Sequence, residues 1–232
     1  MSAPNGSIPA AHVATRARVW PMYQAMVGIA LVCGVLIVLA FQWTKPIIEK
    51  NRAEALEKAI FYVLPEAKAS KTFVLREGDR FEALAGKAGK AKVVHAGYDE
   101  SGRLVGFAIQ AQGMGYQDNV VVLYAYKPDL GAVTGFRVLE TRETPGLGDK
   151  IDIDPGFLAN FEKLVVELDP DLQSVVHPIE VVKHGTKTQP WQIDAITGAT
   201  VSSTAVAKIL RESTGFWAPR LQQHLDDFRQ ER

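Results

Sequence analysis

NVVVLYAYKPDLGAVTGFRVLE, residues 119–140, reads as two β-strands and the turn between them. Asn119–Tyr126 and Val133–Glu140 are dominated by β-branched, aromatic and long apolar side chains, and KPDLG between them carries the Pro and Gly of a reversing chain. The same pattern lies upstream, where Val93–Tyr98 and Leu104–Gln112 are separated by the turn sequence DESG. Together they predict four strands in an antiparallel meander, with a fifth strand over Ile179–Lys183. Helical signals follow the strands. PGFLANFEKL (155–164) starts with Pro and places Phe157, Leu158, Phe161 and Leu164 on an apolar face. After Gly198, VSSTAVAKIL places Val201, Ala205, Ile209 and Leu210 on one side of a helix. Strands first, with helices packed around them, define an α+β class with a mainly antiparallel sheet.

Toward the N-terminus, Val19–Thr44 contains no charged residue, and its core from Ala25 to Phe41 is almost purely apolar. With its flanks it can cross the roughly 30 Å of a bilayer's hydrocarbon. Trp20, Tyr23 and Trp43 stand at its two ends, where amphipathic rings favour the interface. A cleaved signal peptide would have a shorter apolar core and a small-residue cleavage site, and no A-x-A follows here. The expectation is one uncleaved transmembrane helix. KPIIEKNRAEALEKAIFYVL (45–64) continues as a membrane-proximal helix rising out of the membrane, with Leu56, Ile60, Val63 and Leu64 at helical spacing, stopped by Pro65. Residues 66–91, rich in Ala, Lys and Gly, are expected to wrap loosely into the domain. From Pro219, Leu221, Leu225 and Phe228 predict a final amphipathic helix. Counted strictly, Lys45, Lys50, Arg52 and Lys58 outnumber Arg16 and Arg18 and place the second flank inside, but large domains follow other determinants.

Composition narrows function. In 232 residues, 26 basic side chains balance 26 acidic ones, which argues against a nucleic-acid partner. One cysteine, Cys33, excludes an intrachain disulfide and a thiolate metal or iron–sulfur site built from this chain alone. The five histidines show no HxxxH or HxH spacing. Neither a metal site nor a set of catalytic residues is assigned.

Three stretches offer ligand chemistry. In ETPGLGDKI (143–151), Pro145, Gly146 and Gly148 force a tight loop whose amides can point at a ligand, although a simple turn would read the same way. GMGYQDN (113–119) either ends a strand with a bend or lets a planar ring approach beside Tyr116. DAITGATVSST (194–204) is the most specific: a Gly-Ala step precedes a helix start, and Thr200, Ser202, Ser203 and Thr204 crowd around it. Helix starts favour phosphate. An N-cap would account for one of these hydroxyls. Neither GK[ST] nor GxGxxG is present.

TGAT at 197–200, preceded by Asp194, resembles the flavinylation motif D-x-x-[ST]-G-A-[ST] of FMN-binding domains. Such domains occur in the G subunit of the Rnf electron-transport complex and the C subunit of the sodium-translocating NADH:quinone reductase. ETPGLGDKI is similar to the second signature of that family, and its DKI ending is closer to the Rnf protein. The anchor, LPEA at 64–67 and Trp191 fit as well, and the resemblance runs from the anchor to about residue 212. It departs at YQDN, where a more glycine-rich turn is usual, and after Gly215.

The resemblance implies a covalent FMN, joined through its phosphate to Thr200 by a flavin transferase. Thr197, Gly198, Ala199, Val201, Ser202 and Ser203 would surround the attachment, and Glu143, Thr144, Leu147, Gly148 and Lys150 would line the flavin. The implied organisation is a cytoplasmic tail (1–18), a transmembrane helix (19–44), a membrane-proximal helix (45–65), an FMN-binding domain (66–215) and a C-terminal amphipathic tail (216–232). Its implied role is an electron relay, not catalytic alone, in a complex coupling ferredoxin–NAD oxidoreduction to ion translocation. Its partners would be the other membrane and redox subunits and the bilayer of the inner membrane, with the FMN domain on the periplasmic or outer side. The alternatives are the FMN-carrying component of the quinone reductase and a membrane-anchored FMN-binding regulator.

Overall fold

A computed structural model describes residues 19–76, 78–84 and 91–229. The expected tail at 1–18 lies outside them. The chain divides into two units after Asn51. Helix α1 runs Trp20–Val63 through both segments expected to be helical, 19–44 and 45–65, with Pro46 inside it. Its apolar window has a mean hydropathy of 2.5 and none of it is buried within the protein, so it is long and apolar enough to cross a membrane.

In the second unit, the strands are β1 (Ala69–Leu75), β2 (Phe81–Ala83), β3 (Val93–Tyr98), β4 (Leu104–Met114), β5 (Asn119–Lys127), β6 (Ala132–Glu140) and β7 (Leu164–Val165), in the order β2-β1-β3-β4-β5-β6-β7. All pairings in this sheet are antiparallel. The four-strand meander stands as expected, with Gly131 closing the 127–132 turn in the left-handed region at φ 54°. One expectation fails here. Within the expected loose wrap at 66–91, of which residues 77 and 85–90 lie outside the described residues, Ala69–Leu75 and Phe81–Ala83 are strands, because ASKTFVL pairs with β3 and buries Phe73 and Val74. The fifth strand is present as expected. It is β8 (Glu180–Val182), paired in parallel with β9 (Gln192–Asp194) in a separate two-stranded sheet.

β5 explains the near-continuous apolar run in NVVVLYAY: it is covered on both faces. On one face Val120, Val122, Tyr124 and Tyr126 join the main core, which packs beneath helix α4 (Thr200–Gln223). On the other, Leu123 and Ala125 meet Ile60, Val63 and Leu64 at the end of α1. That approach is close. A Cβ on Gly135 would stand 2.5 Å from the Val63 carbonyl oxygen, and one on Gly97 would stand 3.0 Å from Leu64 and Ala67.

The predicted 155–164 helix is shorter: α2 (Lys150–Ile153) and α3 (Pro155–Leu158) precede a 3-10 turn at Ala159–Phe161, and Leu164 already belongs to β7. Pro155 does occupy the first turn of α3, where the Asp154 carboxylate accepts from Phe157 N at 2.8 Å. Helix α4 overruns the expected boundary at 215 and carries Pro219 in its interior. Proline removes the bond to the Gly215 carbonyl, and Arg220 Nη1 donates to the next carbonyl, Phe216 O, at 2.8 Å. The final amphipathic helix expected from Pro219 is instead the end of α4 followed by a 3-10 turn at Leu225–Phe228. Phe228 is 1% exposed and packs on Phe73, Phe81 and Phe107, and its carbonyl accepts from the Tyr98 hydroxyl at 2.8 Å.

Candidate functional site

Three segments meet at one end of the sheet: the β4–β5 turn at 115–118, the loop 141–149 after β6, and the 195–199 turn that opens α4. In the β4–β5 turn, Gly115 N donates to Asp118 O at 2.9 Å. In the second loop, Leu147 N and Gly148 N both donate to Thr144 O, at 3.2 and 3.0 Å, and Gly146 takes a left-handed φ of 78°. In the third, Gly198 has φ 85°, the conformation for which glycine is suited.

The crowded hydroxyls now separate by role. Ser203, fully buried, accepts from Ile196 N at 3.1 Å and donates to Ala199 O at 2.9 Å, so it closes the turn onto the helix. Ser202 donates to Glu143 Oε2 at 2.6 Å. Thr204 bonds back to Thr200 O at 2.7 Å. None of them caps the helix. The N-cap position is Ala199, and no side chain accepts from the first amides. Thr200 is exposed, and among the described residues its hydroxyl has no hydrogen-bond partner. The arrangement leaves unpaired amides and the positive end of a 24-residue helix's dipole beside a free hydroxyl.

A cavity of about 370 Å³ opens at this point, lined by Tyr116, Glu143, Thr144, Leu147, Gly148, Gly198, Ala199, Thr200, Val201 and Ser202. That volume is at the lower end for small-molecule sites, roughly 300–1,000 Å³. Tyr116, Leu147 and Val201 are more than half exposed and form an apolar rim. Nine of the residues expected at the ligand therefore come together here. Three do not line the cavity. Ser203 points into the turn, Thr197 is exposed, and Lys150 starts α2 beyond the loop. Val201, expected on the buried face of the helix, is 55% exposed. The helix turns Ser202, Ser203 and Val206 inward instead, because the first turn packs against loop 143–148 rather than the sheet.

Glu143 is the only charged residue in the lining, and it is 5% exposed. Burial pushes its pKa up. Donation from Gln117 N (3.0 Å), the Ser202 hydroxyl and the backbone of Tyr116 and Asp118 outweighs that and holds it below the ordinary carboxylate value. Gly148 is glycine for clearance, not for φ. A Cβ there would stand 2.7 Å from both Glu143 Cβ and Oε2 and 2.9 Å from Ser202 Oγ.

A support that sequence reasoning missed lies behind β9. Asn160 Oδ1 accepts from Asp194 N and Lys187 Nζ, both at 3.0 Å, and its Nδ2 donates to Phe157 O and Asp194 O. The Asp194 carboxylate accepts from Gly185 N at 2.7 Å. These bonds fix the strand that delivers Ala195–Ala199. No sequence signal singles out Asn160, which sits in an apolar run.

The fold and site define a class: an FMN-binding domain behind an apolar helix. Residues 115–214, from the β4–β5 turn into α4, match the family described as FMN-binding domain. Over most of its length the chain is similar to the G subunits of ion-translocating oxidoreductase complexes, as the motifs implied. The G subunit from Methanosarcina acetivorans is 29% identical over 82% of this chain and 90% of that protein. That from Aliivibrio fischeri is 27% identical over 84% and 89%. The G subunit of the proton-translocating ferredoxin:NAD(+) oxidoreductase complex of Clostridium ljungdahlii is 28% identical over 67% and 78%. The fold is shared with Shewanella oneidensis NqrC (TM-score 0.56, 19% identity, 75% of this chain and 98% of that one). It is also shared with the C subunit of the Na(+)-translocating NADH-quinone reductase from Parabacteroides distasonis (TM-score 0.55, 16% identity, 79% and 96%).

Proposed function

We propose that this chain is the FMN-carrying electron-relay component of an Rnf-type complex, working with partner subunits that couple ferredoxin–NAD oxidoreduction to ion translocation. The FMN is held covalently, as a phosphoester of Thr200. One observation carries the reading: an unpartnered, exposed threonine hydroxyl at an uncapped helix start, on the lip of a cavity framed by the 143–148 loop. A phosphoester keeps one negative charge, which the free amides of the first turn of α4 can hold. Among the lining residues no Lys or Arg competes for that task. The apolar rim of Tyr116, Leu147 and Val201 suits a planar ring, and an attached cofactor is not lost from a site this open. The flavin supplies the electron chemistry; the protein supplies its orientation and its electrostatic surroundings.

A flavin transferase makes the bond during maturation, and α1 anchors the protein in the inner membrane with the FMN domain on the outer side. The sequence similarity to G subunits over most of both chains favours the Rnf-type assignment over the quinone reductase, for which the likeness is one of fold. The test is intact-mass measurement of the full chain after co-expression with a flavin transferase. The expected gain is one FMN less one water, lost in Thr200→Val. No gain in the wild type removes the covalent reading; a gain that survives in Thr200→Val moves the attachment elsewhere.

A further inference from the structure

Glu143 is a carboxylate that no ligand needs to touch. Both of its oxygens are taken by the protein, Oε1 by Gln117 N at 3.0 Å and Oε2 by the Ser202 hydroxyl at 2.6 Å. It thereby ties together the three segments that frame the cavity, from positions 26 and 59 residues away. Its packing is tight on both sides, since a Cβ on Gly115 would collide with Oε1 and one on Gly148 with Oε2. Yet its charge has no counter-cation. The adjacent arginine faces another acid: Arg142 pairs with Asp118 at 3.3 Å. Among the described residues no Lys, Arg or His forms an ion pair with Glu143. Hydrogen bonds from neutral donors keep it ionised without cancelling its field.

We propose that Glu143 is a positioning residue that also sets the flavin potential: it fixes the cavity walls and holds an uncompensated negative charge against the bound ring. The proposal rests on the FMN reading above. Electrons entering the flavin bring negative charge, and a fixed carboxylate in a wall of low dielectric opposes them. The oxidised flavin is favoured and the midpoint potential falls. A clamp made of neutral groups would hold the same walls without that effect.

The test uses the full chain, loaded by a flavin transferase and titrated optically across the flavin absorbance, with adduct mass measured on the same samples. Glu143→Gln keeps the size of the side chain and removes its charge; Glu143→Asp keeps the charge and shortens the clamp. Glu143→Gln is expected to raise the midpoint potential, which a merely structural role would leave unmoved, and Glu143→Asp to hold it near the wild-type value. A wild type that takes up no flavin overturns the FMN reading itself. A loaded Glu143→Gln with an unchanged or lower potential overturns only the role of Glu143. If Glu143→Gln does not fold or load, a raised potential in Glu143→Asp overturns that role and a potential near the wild-type value supports it. Failure of both to load overturns the electrostatic role and leaves Glu143 a structural clamp.

Discussion

Gly146 and Gly148 stand two residues apart in one loop and are glycine for different reasons, so alanine should separate them. At Gly146 the backbone φ is 78° and nothing lies within 4 Å of the site of a Cβ. Gly146→Ala therefore carries only the left-handed penalty, about 1–2 kcal/mol. At Gly148 a Cβ would meet Glu143 Cβ and Oε2 at 2.7 Å and Ser202 Oγ at 2.9 Å. Ordinary contact needs about 3.5–4 Å, so these groups must retreat by most of an ångström. The retreat pulls apart the 2.6 Å Ser202–Glu143 bond. A hydrogen bond to a charged group is worth about 1.5–3 kcal/mol, and overpacking adds roughly 1–3 kcal/mol. After partial relaxation, about 3 kcal/mol remains for Gly148→Ala, or a fall in Tm of roughly 6–12 °C for a domain of this size. Thermal and urea unfolding of the flavin-free chain in detergent measures both variants. The flavin adduct yield should also drop in Gly148→Ala and hold in Gly146→Ala. A Gly148→Ala variant no less stable than Gly146→Ala would refute the clearance argument.

Two further outcomes test the fold around the site. Phe228→Ala removes a ring whose centroid lies 4.8 Å from Phe73 and Phe81 and 4.6 Å from Phe107, and should cost about 3–5 kcal/mol in urea unfolding, whereas a detached tail would cost nothing. His95 is buried beside the Thr72 hydroxyl (3.0 Å), and burial lowers its pKa, so the unfolded chain takes up the proton first. Its contribution is complete above pH about 6.5 and is lost as pH falls below that. The urea midpoint should thus drop between pH 7.5 and 5.5, and less steeply in His95→Gln.

Much of this molecule is written locally. The meander from Val93 to Glu140 is legible because each strand is bounded by its own turn chemistry, such as DESG and KPDLG. The apolar run that became α1 needs only length and composition. The motif TGAT and the loop ETPGLG carry their chemistry in adjacent residues and are visible as motifs, while their meeting around one cavity is the work of the fold. Strands β1 and β2 were not legible, because ASKTFVL and FEA are held by partners on β3 and at the chain's far end rather than by a turn signal; Phe81 N, for instance, donates to Asp227 at 3.0 Å.

The sequence alone determined the class of domain, the apolar helix and the threonine on offer, since these depend on residues that are neighbours in the chain. The tertiary structure decided which hydroxyl stays free. Read as a string, Ser202, Ser203 and Thr204 are equally plausible partners for a phosphate. Folding commits Ser203 to the turn, Thr204 to the helix and Ser202 to a carboxylate 59 residues away, and leaves Thr200 unpartnered at the cavity. A hydroxyl's availability is a matter of what lies within about 3 Å of it, and only the packing of distant segments sets that.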